Sequence, residues 1–127
     1  PGRTWNSGVM RGHRAMLAFT TSAPAASFLP DGRNGDMERI LWPLHAGVFG
    51  VCGYEVLPPF IAHAVAFIDT AAREKILDDY RRRLHHIEAE QPLFFHPPAD
   101  YGADRRLRPD VEPRTPAQHR GRRWHLS

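Results

Sequence analysis

The stretch Arg14-Ala-Met-Leu-Ala-Phe-Thr20, continued by Thr21-Ser-Ala-Pro24, decides how the rest of the chain is read. A short, almost wholly apolar run bounded by turn signals suits a strand buried on both faces, as in parallel sheets. Residues 21–35 then carry Pro24, Pro30, Asp31-Gly32 and Asn34-Gly35. Two prolines and two turn dipeptides make that stretch a long surface loop. Loops above about 12 residues inside compact domains are usually functional or disordered.

Working outward, Asp36 stands as a helix N-cap. Apolar residues follow at Met37, Ile40, Leu41, Leu44, Val48 and Val51, which is one helical face, so a helix is predicted at about 36–51. Pro43 lies inside it and should kink it, at about 3 kcal/mol unless the local geometry adapts. Gly53 stops it. Tyr54-Glu-Val-Leu57, running into Pro58-Pro59, predicts a strand at about 54–58, and Phe60 to Phe67 can extend it with His63 on one face. Asp69 or Thr70 caps a last helix at about 70–89. Its stripe is Ile76, Leu77, Tyr80, Leu84 and Ile87, and its opposite face offers Asp78/Arg82 and Asp79/Arg83 as i,i+4 pairs.

Strand, loop, helix, strand, helix is the order of an α/β fold with a parallel sheet. Two strands alone are too few for a stable parallel sheet covered on both faces. The chain therefore reads as half of an α/β domain over residues 1–96, followed by an Arg/Pro-rich tail over 97–127. Beyond Phe95 there are five prolines and no apolar period, the pattern of a segment that wraps a surface or stays mobile.

Composition narrows the classes. At 127 residues the chain holds at most one domain. Its 42% apolar and 24% charged residues argue against wholesale disorder. The single cysteine, Cys52, excludes an internal disulfide and reads as a small core residue. The longest apolar run, Phe60 to Ile68, is too short for a membrane span. No targeting segment is visible, and the opening Pro1-Gly2-Arg3 without an initiator Met reads as the middle of something longer. Sixteen Arg against one Lys points to genome base composition. The net charge of +3 sits in the tail, because basic and acidic residues cancel over 1–96.

Few motifs carry chemistry by themselves. Thr20-Thr21-Ser22-Ala23 follows the first strand, and in open α/β sheets ligands bind at the carboxyl ends of strands. Its hydroxyls and N–H groups suit the polar edge of a flat ring, though from these four residues alone an ordinary strand-to-helix turn is the favoured reading. Asn34, at the loop's return, faces the same place or is simply part of a turn. His85-His86 are adjacent and suit a solvated face better than a metal, and His13, His63, His96, His119 and His125 show no ligand spacing. No phosphate loop, dinucleotide fingerprint or nucleophile motif occurs. Arg105-Arg106-Leu107-Arg108 and His119-Arg-Gly-Arg-Arg-Trp124 offer phosphate contacts and a stacking ring. The near-neutral body argues against nucleic acid as the partner.

Taken together, Ala15-Met-Leu-Ala-Phe-Thr-Thr21, Gly32-Arg-Asn-Gly-Asp-Met37, Ile40-Leu-Trp-Pro-Leu44, Cys52-Gly53, Val56-Leu-Pro-Pro59 and Gln91-Pro-Leu-Phe-Phe95 carry a family likeness. In that order, from Arg14 to about Asp104, they resemble the C-terminal half of the NAD(P)H:quinone oxidoreductases. These are the DT-diaphorase branch of the flavodoxin-like flavoproteins, and the Trp42-Pro43 step is one of their features. The resemblance implies a flavodoxin-like doubly wound parallel sheet, present as its C-terminal half. It implies FAD at the strand ends, a cytoplasmic homodimer with sites at the interface and no membrane attachment. The implied activity is that of an NAD(P)H dehydrogenase (quinone), with hydride passing from NAD(P)H through FAD to a small-molecule quinone.

Residue by residue, the resemblance assigns cofactor contacts to Thr20 and Thr21. It extends them to Ser22 and Ala23, which stand where the family usually has Gly-Gly and whose Cβ atoms restrict backbone approach. Phe28 stands where many members have a Tyr assisting hydride transfer, and Asn34 where animal members have its His partner. Phe28 and Asn34 are thus the catalytic candidates, Phe28 also touching the cofactor and Asn34 the substrate, though neither can move a proton. Val51 matches a position lining the quinone pocket from the partner subunit. Arg73 matches an arginine near the FAD adenylate, where a guanidinium suits phosphate. Three βα units, roughly 90 residues at about 30 each, are missing for a complete FAD site. The alternative is an inactive, degenerate relative that binds a partner through an unpaired sheet edge.

Overall fold

The structure, a computed structural model, describes residues 2–119. The pattern Arg120-Gly-Arg-Arg-Trp124 and His125 lie outside the described residues. Four short strands form, β1 (Arg14–Ala15), β2 (Ala18–Thr20), β3 (Glu55–Val56) and β4 (Phe60–Ala62), with helices α1 (Met37–Leu44) and α2 (Thr70–His85). Both pairings are parallel, β1 with β3 and β2 with β4. The α/β fold with parallel strands expected from the residue pattern is what the chain adopts.

Each predicted strand is broken into two, and the register says why. Ala15 faces Val56, but Ala18 faces Phe60, so Leu57-Pro58-Pro59 opposes only Met16-Leu17. The extra residue is a bulge. Proline has no N–H for the ladder, and pairing resumes on either side through Leu57 N–H to Ala15 O and Phe60 N–H to Leu17 O, both 2.8 Å. The Pro58 and Pro59 carbonyls are then taken by the Arg83 guanidinium, which also pairs with Glu90. Arg14 completes the clamp, donating from one terminal nitrogen to Ile87 O and Glu90 O at 2.7 Å each. These contacts fix the end of α2 to the sheet.

Both helices begin where their caps predict. Asp36 accepts from Glu38 N–H and Asp69 from Ala72 N–H. Past Pro43, α1 passes into a π-helical stretch, His45–Gly50, instead of continuing as α-helix to residue 51. The wider i→i+5 turn brings residues roughly four to five apart onto one face. Leu41, His45, Ala46 and Gly50 therefore turn inward, while Ile40, Leu44 and Val48 of the predicted stripe stand exposed. Gly53 ends the segment at φ +98°, with Gly8 Cα 2.8 Å from where its Cβ would sit.

On α2 part of the predicted stripe packs inward, with Ile76, Tyr80 and, just past the helix end, Ile87 partly buried. Tyr80 stacks on Phe60 at 4.9 Å, while Leu77 and Leu84 face outward. The expected pairs Asp78/Arg82 and Asp79/Arg83 do not form. Arg81 pairs with Asp78, Arg82 and Lys75 with Asp79, and Arg83 is drawn to the sheet instead. The α-helix ends at His85, and Ile87–Ala89 is a 3₁₀ turn.

Nor is the first strand buried on both faces: Ala18 and Thr20 are exposed. Among the described residues β2 pairs on one edge only. The core sits lower, around Val56 and Leu57, both fully buried. Leu93 N–H reaches Val56 O at 2.7 Å and covers the second edge of β3. Trp5 and Trp42 pack on Phe95. Residues 97–119 lie against this side through His96, which is sealed between Asp100 and the Arg114 N–H. No helix among the described residues is long and apolar enough to cross a membrane.

Candidate functional site

The parallel strands deliver their carboxyl ends to one edge. There β2 ends at Thr20 and β4 at Ala62, so Thr21 and His63 emerge side by side. The Thr21 N–H donates to Ala62 O at 2.9 Å. The Thr21 hydroxyl donates to Ala23 O at 2.8 Å and lies 3.0 Å from His63 Nδ1. Val65 N–H to Thr21 O and Ala64 N–H to Ala23 O close the turn.

The loop after the strand folds back on itself. Ala25–Phe28 is a 3₁₀ turn that sets Phe28 against His63, ring centroids 5.7 Å apart and tilted by 36°. Asn34 N–H donates to Ser27 O at 2.8 Å, returning the loop beside Phe28. Gly32 is required at this return, because a Cβ would collide with the Ser27 carbonyl.

Of the predicted site residues, Thr20, Thr21, Ser22, Ala23, Phe28 and Asn34 lie on this edge, on β2 and the loop that follows. Neither Ser22 nor Ala23 has a positive φ, so their Cβ atoms introduce no backbone strain. Their N–H groups make no hydrogen bond among the described residues. Two open donors therefore stand at this edge, beside the Thr20 and Thr21 side chains. Arg73, in the first turns of α2, reaches the same end, with Nε donating to Val65 O at 3.3 Å.

Val51 does not join them. It follows the π-helical stretch and leads through Gly53 into β3, at the opposite, amino edge of the sheet. A cavity of about 300 Å³ bounded by Leu41, Trp42, His45, Leu93, Phe94 and Arg114 holds none of these residues. His63 is the residue that motif reading misses. Its signal is register: His63 lies one residue beyond β4, as Thr21 lies one beyond β2.

The comparisons agree with this architecture. A family described as having the flavodoxin-like fold matches residues 1–87. The chain is 30% identical over 93 residues to the rat NAD(P)H dehydrogenase [quinone] 1, covering 73% of this chain and 34% of that protein. It is 34% identical over 94 residues to the mouse ribosyldihydronicotinamide dehydrogenase [quinone], covering 74% and 41%. A crystal structure of a candidate quinone reductase from Klebsiella pneumoniae superposes with a TM-score of 0.82 at 29% identity, covering 87% of this chain and 44% of that one. The chain thus spans less than half the length of these relatives. With the parallel strands, the helices that follow β2 and β4 and the matched residues 1–87 in agreement, the chain belongs to the flavodoxin-like fold family.

Proposed function

We propose that this chain forms the flavin-facing wall of a quinone-reducing flavoprotein, with FAD as its cofactor, NAD(P)H as hydride donor and a small-molecule quinone as acceptor. The observation that carries this reading is the pair of open N–H groups at Ser22 and Ala23 beside Thr20 and Thr21, at the carboxyl edge of parallel strands. The names of the similar proteins support the same reaction class. The flavin supplies the hydride chemistry when bound.

The chain's own residues bind and orient. Ser22 and Ala23 donate to the ring edge, Thr20 adds a hydroxyl, and Thr21, whose hydroxyl is held by Ala23 O, braces the turn behind them. Phe28 offers a flat apolar face, and Asn34 a neutral donor and acceptor that positions the quinone. Neither titrates in the working range, so no proton passes through them. Arg73 presents a guanidinium suited to the adenylate phosphates. The exposed row Ile40, Leu44 and Val48, each close to half accessible, supports a homodimer in which a second copy covers this face and Val51 lines the partner's pocket. The same reading makes residues 1–96 the flavodoxin-like unit and 97–127 its appended tail, in a cytoplasmic protein.

The test begins with FAD titrated into the 127-residue chain. Weak or undetectable binding is expected, since one wall alone is present; a stoichiometric flavin spectrum would show that the chain completes its own site. In the longer protein this reading requires, stopped-flow kinetics separate flavin reduction from reoxidation by quinone. Asn34→Ala should weaken acceptor affinity more than the hydride step, and Phe28→Tyr should be tolerated. Loss of flavin reduction in Asn34→Ala with acceptor binding unchanged would overturn the assignment.

A further inference from the structure

The Thr21 hydroxyl carries one proton and has two close neighbours. Ala23 O at 2.8 Å can only accept, so that proton is committed to it. His63 Nδ1, 3.0 Å from the same oxygen, then makes an attractive contact only by donating. This arrangement favours the neutral tautomer with its proton on Nδ1 and a lone pair on Nε2. Nε2 makes no hydrogen bond among the described residues, nor is it sealed, since the one buried unpartnered side-chain atom among them is His45 Nε2. The chain holds this pose at a cost: Ala64, directly after His63, sits at φ 54°, a conformation disfavoured for a residue with a Cβ. Among the described residues the side chains in contact with the ring are the uncharged Thr21 and Phe28, while the nearby Arg73 is held on Val65 O.

We infer that His63 Nε2 is a specificity-determining acceptor that, with the Phe28 face, binds a planar aromatic ring bearing a hydroxyl group. A hydroquinone or other phenol donates its O–H there, whereas a ring without a donor gains only the apolar contact. The inference deepens the quinone-reductase reading by naming the reduced product's chemistry, but its test is independent of flavin.

The experiment uses the 127-residue chain with ¹⁵N-labelled histidine, above the imidazole titration range. Long-range proton–nitrogen correlations should show His63 Nδ1 protonated and Nε2 unprotonated. Added 1-naphthol should shift the Nε2 resonance and bind roughly three- to tenfold more tightly than 1-methoxynaphthalene, the worth of one neutral hydrogen bond. His63→Phe should retain ring binding and lose the discrimination. Thr21→Val, which removes the partner of Nδ1, should release the tautomer preference. The inference is overturned by an Nε2–H tautomer, by averaged tautomers in the wild-type chain, by absence of 1-naphthol binding at millimolar concentration, by equal affinity for the two probes, or by discrimination that survives His63→Phe. Failure of the longer protein to reduce quinones would overturn the functional reading and leave this inference standing. Lost discrimination in a quinone-reducing protein would do the reverse.

Discussion

His63 and His96 show what separates the two sides of this molecule. Each has Nδ1 in a hydrogen bond, 3.0 Å from Thr21 Oγ1 in one case and 2.8 Å from Asp100 Oδ2 in the other. They part at Nε2. In His96 it accepts the Arg114 N–H at 3.1 Å, and the side chain is 1% exposed. In His63 it stays open beside a half-buried aromatic ring. One imidazole has every hydrogen-bonding position used internally and holds residues 97–119 against the body. The other keeps one position unused among the described residues. The backbone repeats the contrast: Val56 O is taken by Leu93 N–H on the closed side, while the Ser22 and Ala23 N–H groups stay unused at the open edge.

The largest effect that tests this contrast belongs to the core. Leu57→Ala should cost about 3 kcal/mol, because the side chain is fully buried. Thr20→Ala, at the exposed edge, should stay within about half a kcal/mol. Urea unfolding of the two variants measures both, and similar losses would erase the distinction between base and edge.

Next come the two histidines. His96→Ala should cost about 2 kcal/mol, since it strips the Arg114 N–H and Asp100 of a partner at a buried site. His63→Ala should cost less than about 1 kcal/mol, with its contacts at a half-open site. Equal losses would mean that His63 is structural.

A smaller, pH-dependent effect comes from His45. It is buried, its Nε2 has no partner, and desolvation holds its pKa below the ordinary value of about 6.5. Below that value the unfolded chain takes up the proton first, so the folded state loses stability as pH falls. Above it His45 contributes no pH dependence. Unfolding midpoints should therefore drop between neutral pH and pH 5, and His45→Phe should flatten that part of the profile. An unchanged slope would assign the acid sensitivity elsewhere. The smallest effect is that of Arg81→Ala, which breaks an exposed pair with Asp78 and should change stability by less than about half a kcal/mol.

Much of this was legible in the residues. The caps at Asp36 and Asp69, the stop at Gly53 and the break at Pro43 were readable, because each acts through its own φ or its own N–H, whereas the interruption of the strand at Pro58-Pro59 was not read. The candidate loop was legible too, since the strand's carboxyl end is a local property. Which helical faces turn inward was not. Leu77 and Leu84 look like core by spacing, yet Arg83, read as a surface charge, is the residue drawn to the sheet. The stripe on α1 failed for a related reason, as the π-helical turn after Pro43 changes which residues share a face.

By itself the sequence determined the order of elements, the starts of both helices and the parallel α/β class, because these follow from backbone geometry and contacts a few residues apart. Tertiary structure decided which polar groups are used up and which stay open. The deciding contacts join residues distant in the chain: Arg114 meets His96 across 18 positions, Thr21 meets His63 across 42, and Arg14 reaches Glu90 across 76. Spacing in a sequence carries no record of such pairings, since a donor or acceptor is satisfied by whatever the fold brings within about 3 Å. The open Nε2 of His63 is a property of that arrangement and not of the residue.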